Sequence, residues 1–334
     1  MRKWILALAT FAAFFIVDGI ASAPYPAESL TIYSGRSEEL VGPIIEQFGK
    51  AMGIRVRVRY GGTSELAATI LEEGKQSPAD IFFAQDPGGL GAVAHRFGPI
   101  LEDILNHVDP RLRSPRGRWV GISGRARVVV YNTERLTEAD LPDDIWDFTD
   151  SKWKGRIGWP PTNGSFQAMV TAMRVLWGEE KTRQWLKGIQ AIKPKTYPKN
   201  TPIVAAVGVG EVDLGFVNHY YLLRFLQERG EDFPARNYHP RAGGPGAIIL
   251  VAGAGILQTS KNREAAQRFL DFVLSPVAQQ YFAEQTLEYP AVEGIKTARA
   301  LVPLSQINSP DIDMVDLADL RGTLRLLRET GVVP

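Results

Sequence analysis

From Leu30 to Phe83 the chain switches repeatedly between two periodicities, and that switching leaves few folds open. Leu30 to Tyr33 is a short apolar strand, and Ser37 is placed to cap an amphipathic helix running from about Glu38 to Ala51. Ile54 to Tyr60 reads Ile-Arg-Val-Arg-Val-Arg-Tyr, a strict alternation that gives a strand one face in water. A helix from about Ser64 to Glu73 follows. Ala79 to Phe83 is then apolar on both faces, as a central strand must be. This rhythm predicts an α/β architecture with a mostly parallel sheet covered by helices.

A second α/β pattern starts beyond Val120. Arg125–Tyr131, Gly155–Trp159 and Leu214–Val217 are strand-like, and Ala168–Trp177 is helical. A Gly- and Pro-rich turn, Arg241 to Gly246, leads into the apolar strand Ala247–Val251, followed by helices at about 262–274 and 277–284 and a basic helix at about 317–329. A chain of 334 residues suits two domains, yet no flexible linker separates the two patterns. The chain is therefore expected to cross between lobes inside extended segments, Ile122–Tyr131 and Ala247–Gly255, which makes a hinge. Ligands of open α/β sheets lie beyond the carboxyl ends of the strands. That rule selects Ser34–Glu38, Ala84–Asp86, Asn163–Phe166 and His219–Tyr221.

The first residues read as an export signal. Arg2 and Lys3 precede an apolar stretch, Trp4–Val17, and small residues then offer cleavage near Ala21 or Ala23. The stretch is short for a membrane span and Asp18 interrupts it. The absence of cysteine excludes a lipoprotein anchor, disulfides and thiolate metal sites. These features place the mature chain in a periplasm. A formal net charge of +1 carries none of the basic footprint of a nucleic-acid binder. Nucleophile-elbow, zinc-protease and phosphate-loop motifs are all missing, so no enzymatic activity is expected.

Val217-Asn218-His219-Tyr220-Tyr221 carries the most chemical information. A phenol normally holds its proton until about pH 10. Two phenolates together match a hard trivalent cation acidic enough to displace those protons. Paired tyrosines also occur as plain packing, so the pair alone leaves both readings open.

Five segments resemble the periplasmic ferric-ion-binding proteins, receptors of bacterial iron(III) ABC importers: Tyr33–Arg36, Pro78–Phe83, Ser123–Tyr131, Trp153–Gly158 and Asn218–Tyr221. The resemblance runs over the whole mature chain. It implies the type II periplasmic-binding fold, with two α/β lobes joined by two hinge strands around a ligand cleft. The lobes would comprise residues 24–126 with 251–305, and 127–250 with 306–334, after a signal peptide at 1–23. It also implies Fe3+ as cargo, a permease in the inner membrane as partner, and a monomer in solution.

The tandem tyrosine ligands of that family fall on Tyr220 and Tyr221. Some members add a His and a Glu from the first lobe, where this chain has Ser37 and Gln85. Others use two further tyrosines, whose positions are held here by Glu38 and Phe166. The resemblance therefore implies Tyr220, Tyr221, Glu38 and Gln85 as metal donors, with Asp86 beside them as a carboxylate or a helix cap. A synergistic carbonate or phosphate would be held at Asn163, Gly164, Ser165, Asn200, Asn218 and Arg36, because a helix N-terminus at 163–165 presents free N–H groups. Arg125 and Arg127 share a strand face, and a salt bridge steadying the hinge is expected of at least one of them. The thin set of first-lobe donors keeps a second cargo in view, an organic anion such as a phosphonate, sugar phosphate or carboxylate.

Overall fold

The computed structural model describes residues 28–334, so the expected signal peptide and its cleavage sites lie outside the described residues. Ten strands form one continuous sheet: β1 (Ser29–Ser34), β2 (Arg55–Tyr60), β3 (Ile81–Ala84), β4 (Val120–Asn132), β5 (Ile157–Trp159), β6 (Lys195–Thr196), β7 (Leu214–Asn218), β8 (Ala235–Tyr238), β9 (Ile249–Ile256) and β10 (Tyr289–Pro290). The strand order is β2-β1-β3-β9-β4-β7-β5-β6, with β8 and β10 also paired to β4.

Both ends of the sheet are parallel, as the alternating pattern predicts: β1 pairs with β2 and β3, and β5 pairs with β6 and β7. The centre is antiparallel, which the expectation of a mostly parallel sheet did not include. There β9 runs against β3 and β4, while β4 also runs against β7 and β8. The physical reason is β4 itself. All 13 of its residues are buried, and it is long enough to pair with β9 over Val120–Ala126 and with β7 over Arg127–Tyr131. One strand thus belongs to both halves of the molecule, and β9 runs back beside it.

Local sequence explains the elements around this frame. The helix Glu38–Met52 buries Leu40, Val41, Ile44, Ile45 and Phe48, one stripe at helical spacing, and ends at Gly53 with φ +66°. Complete burial of Phe48 alone contributes about 2–3 kcal/mol. Ser37 occupies the N-cap position but its hydroxyl makes no capping bond, contrary to the expectation. β2 alternates exposed and half-buried residues as its pattern dictates, and β3 is wholly buried.

The longer elements that went unanticipated are the helices Glu179–Ala191, Asn200–Gly208 and His219–Arg229 and the strand β8; the short helix Glu102–Leu105 and the two-residue strands β6 and β10 were not anticipated either. The helix at 219–229 matters most, because it turns the sequence expected as a loop after β7 into a first helical turn.

Candidate metal-binding cleft

Tyr220 and Tyr221 lie in the first turn of the helix His219–Arg229, directly after β7. Their ring centroids are 4.2 Å apart at an interplanar angle of 30°. Tyr220 is fully buried, and its hydroxyl has no hydrogen-bond partner. It packs with the cluster built on β1, β3 and the helix 38–52, so a side chain carried by the second half of the sheet sits in the core of the first. Burial pushes the Tyr221 phenol well above its ordinary value of 10.0. Tyr220 reinforces the shift, and Arg36 and Arg125 oppose it. The positive end of the helix dipole also favours phenolate at this position.

Three guanidinium groups are buried here: Arg36 from the loop after β1, and Arg125 and Arg127 from β4. Arg36 forms an ion pair with the fully buried Glu288, whose second oxygen accepts from Ser123 Oγ at 2.5 Å. Its Cζ lies 5.9 Å from the Tyr220 ring centroid. Burial by itself would lower the Arg36 pKa, but Glu288, Tyr220 and Tyr221 outweigh it and hold the group above its ordinary value.

Arg125 is lowered by burial and by Arg36. Arg127 is pulled down to about 9 by burial and then by Arg125. The expected hinge salt bridge is not formed. Among the described residues neither Arg125 nor Arg127 has a carboxylate partner within ion-pair distance. Arg127 Nη1 instead donates to Asn218 Oδ1 at 3.0 Å, and no side-chain nitrogen of Arg125 finds an acceptor.

Ten of the 17 buried side-chain nitrogen and oxygen atoms without a hydrogen-bond partner, among the described residues, belong to Arg36, Asp86, Arg125, Arg127, Asn200 and Tyr220. Native interiors satisfy nearly all such atoms, so this concentration marks a place built to receive a polar, charged ligand. No group of three His, Cys, Asp or Glu able to hold a metal occurs among the described residues. Metal affinity here would have to rest on phenol oxygens.

The polar residues expected to cradle an anion are brought together, but they bond to one another. Asn163 caps the helix Gly164–Trp177 by accepting from Ser165 N at 3.1 Å, and it also accepts from Asn200 Nδ2 at 3.3 Å. Ser165 Oγ accepts from Asn218 Nδ2 at 3.1 Å and from Gln85 Nε2 at 2.6 Å. Gln85, from the loop after β3, thus reaches a residue on the far side of the cleft. Ser64 Oγ does the same, donating to Gln167 Oε1 at 3.2 Å. These bonds describe a closed cleft.

Glu38 is not brought to the tyrosines. It is exposed, in an outer groove beside Gly42 and Tyr60, because the helix 38–52 turns its first residue outward. Asp86 caps the helix Pro87–Ala92, its Oδ1 accepting from Gly89 N at 3.0 Å. His219 is spent structurally: Nδ1 accepts from Ala126 N at 3.1 Å, Nε2 donates to Leu287 O at 2.8 Å, and burial lowers its pKa to about 3. Phe166 is buried against Trp159 and Trp185 and offers no oxygen. Sequence reasoning missed Glu288 altogether. It lies far along the chain from its partner Arg36, in a stretch with no motif, and only the fold joins the two.

Two lobes sharing long strands, with unpartnered charge buried between them, define a solute receptor. The chain matches the family described as bacterial extracellular solute-binding protein over residues 90–315, and it belongs to that family. The major ferric iron-binding protein of Neisseria meningitidis is 32% identical over 321 residues, covering 93% of this chain and 95% of that one. The Fe(3+)-binding periplasmic protein of Serratia marcescens is 33% identical over 317 residues, covering 94% and 93%. Among solved structures, iron-bound HitA from Pseudomonas aeruginosa superposes with a TM-score of 0.88 at 34% identity, over 91% of this chain and 99% of that one. The fold is the type II periplasmic-binding fold that the resemblance implied.

Proposed function

We infer that this protein is a receptor that binds ferric iron in the cleft and delivers it to the permease of an ABC importer, without catalysing a reaction. The observation that carries this reading is the tyrosine pair at a helix N-terminus, Tyr220 buried and Tyr221 half-buried, among three buried arginines. Relatives covering more than nine tenths of the chain and named for ferric iron support it. Fe3+ displaces both phenolic protons, and the guanidinium groups stabilise the resulting oxyanions.

We propose Tyr220 and Tyr221 as the primary ligands, with Gln85, whose amide nitrogen donates to Ser165, offering only a neutral carbonyl oxygen, a weaker donor to Fe3+ than a phenolate. Glu38 is left outside the ligand set by its exposed position. A synergistic anion, carbonate or phosphate, would complete the coordination and take the free N–H groups of Arg36 and Arg125. The other residues expected to hold the anion, Asn163, Gly164, Ser165, Asn200 and Asn218, would wall the cleft around it without seating it on the helix N-terminus. The lobe division at residues 126–127 and 250–251, with 306–334 returning to the second lobe, fits strands that serve both halves. The receptor would work as a monomer in the periplasm, without nucleic-acid contacts. No helix among the described residues is long and apolar enough to cross a membrane.

An organic anion as sole cargo is not favoured, because the relatives found at about one third identity are named for iron. Ferric citrate added to the purified protein should produce an orange-to-red phenolate-to-iron band. A colourless protein would sink the iron reading.

A further inference from the structure

We propose that Asp86 determines which anions the cleft accepts, by occupying with its own carboxylate the helix N-terminus that a free oxyanion would otherwise take. The helix Gly164–Trp177 has 14 residues, long enough to present a strong N-terminal anion site. A Cβ on Gly164 would overlap Asp86 Oδ2, and its next neighbour would be Asp86 Cγ at 3.4 Å. Glycine at 164 is therefore required by the approach of a carboxylate from the opposite side of the cleft. Asp86 is 1% exposed. Its Oδ1 is held by Gly89 N at 3.0 Å, whereas Oδ2 has no hydrogen-bond partner and faces this first turn.

The charge that a helix N-terminus attracts is thus supplied by the protein. A phosphate at Asn163–Ser165 would meet a buried like charge at close range, and like-charge juxtaposition is a strong means of excluding a ligand. The guanidinium nitrogens of Arg36, Arg125 and Arg127 that lack acceptors remain open to an anion. The cleft would then favour an anion seated on the arginines over one seated on the helix. This inference rests on the cleft being the cargo site, but it concerns the anion and not the iron.

The test is calorimetric titration of inorganic phosphate into the iron-free full-length protein, wild type against Asp86→Asn. Equilibrium affinity includes closure, so the penalty is read without iron. Asparagine keeps the acceptor that caps the helix Pro87–Ala92 and removes the charge. Asp86→Asn should bind phosphate at least about tenfold more tightly than wild type. Affinities within twofold of each other, including no binding by either, would overturn the proposal. Should Asp86→Asn fail to fold, Asp86→Ser retains a capping oxygen and faces the same criterion. The phenolate band with ferric citrate, recorded separately, reports on the iron reading alone, so either reading can fail without the other.

Discussion

Gln85 Nε2 donates to Ser165 Oγ across 2.6 Å, tying the loop after β3 to the first turn of the helix Gly164–Trp177. The bond exists only while the two halves of the cleft are together, so it stabilises the closed state selectively. Replacing Gln85 with Ala should remove about 1 kcal/mol from closure. The readout is iron release to a chelator, expected roughly fivefold faster, with the position of the visible band unchanged.

Tyr220→Phe and Tyr221→Phe each remove one phenol oxygen and preserve the ring packing of the pair. Each single variant should lose at least about 100-fold in ferric affinity, and the double variant should lose the visible band. Retention of the band in the double variant would place the metal elsewhere.

Ferric binding should strengthen as pH rises. The Tyr221 phenol is held well above 10.0 by burial and by Tyr220, so it is protonated throughout the neutral range and must release its proton to ligate. Each ligating phenol that starts protonated adds about one unit to the slope of log K against pH. Competition against a chelator of known proton stoichiometry, between about pH 6 and about pH 8, measures that slope. A slope of zero would contradict phenolate ligation.

Glu288 is the buried counter-charge of Arg36. Glu288→Ala would leave a guanidinium without its partner in the core, and should lower unfolding stability by about 3–5 kcal/mol in denaturant titration. Glu288→Gln, which keeps one acceptor oxygen for Arg36 and turns an NH2 toward Ser123 Oγ, should cost less.

Acid stability should report on His239. Burial lowers its pKa from 6.5 to about 4 in the folded state. Below pH 6.5 the unfolded chain takes up a proton that the native state refuses, so stability falls between pH 6.5 and about 4. The full effect is about 3 kcal/mol. His239→Gln should make that part of the stability profile less steep, the remaining slope coming from His219, whose pKa burial lowers to about 3.

Periodicity made much of the fold legible. The alternation of Arg55–Tyr60 and the all-apolar run at β3 are local consequences of which faces meet water. Even the crossing segments at β4 and β9 could be expected from apolar length without a linker. The antiparallel centre could not, because strand partners are chosen by the whole sheet and not by one strand.

Within the site, the sequence alone determined where the chemistry resides, since two adjacent phenols have one chemistry wherever they lie. What surrounds them was decided by tertiary structure. Folding turned Glu38 outward, spent His219 on backbone groups, and left Arg125 and Arg127 without the carboxylate they were expected to meet. It joined Arg36 to Glu288 and set Asp86 against Gly164. Burial and charge pairing depend on groups distant in the chain that meet only when the chain folds. For that reason the sequence could name the candidate ligands but not the field in which they act.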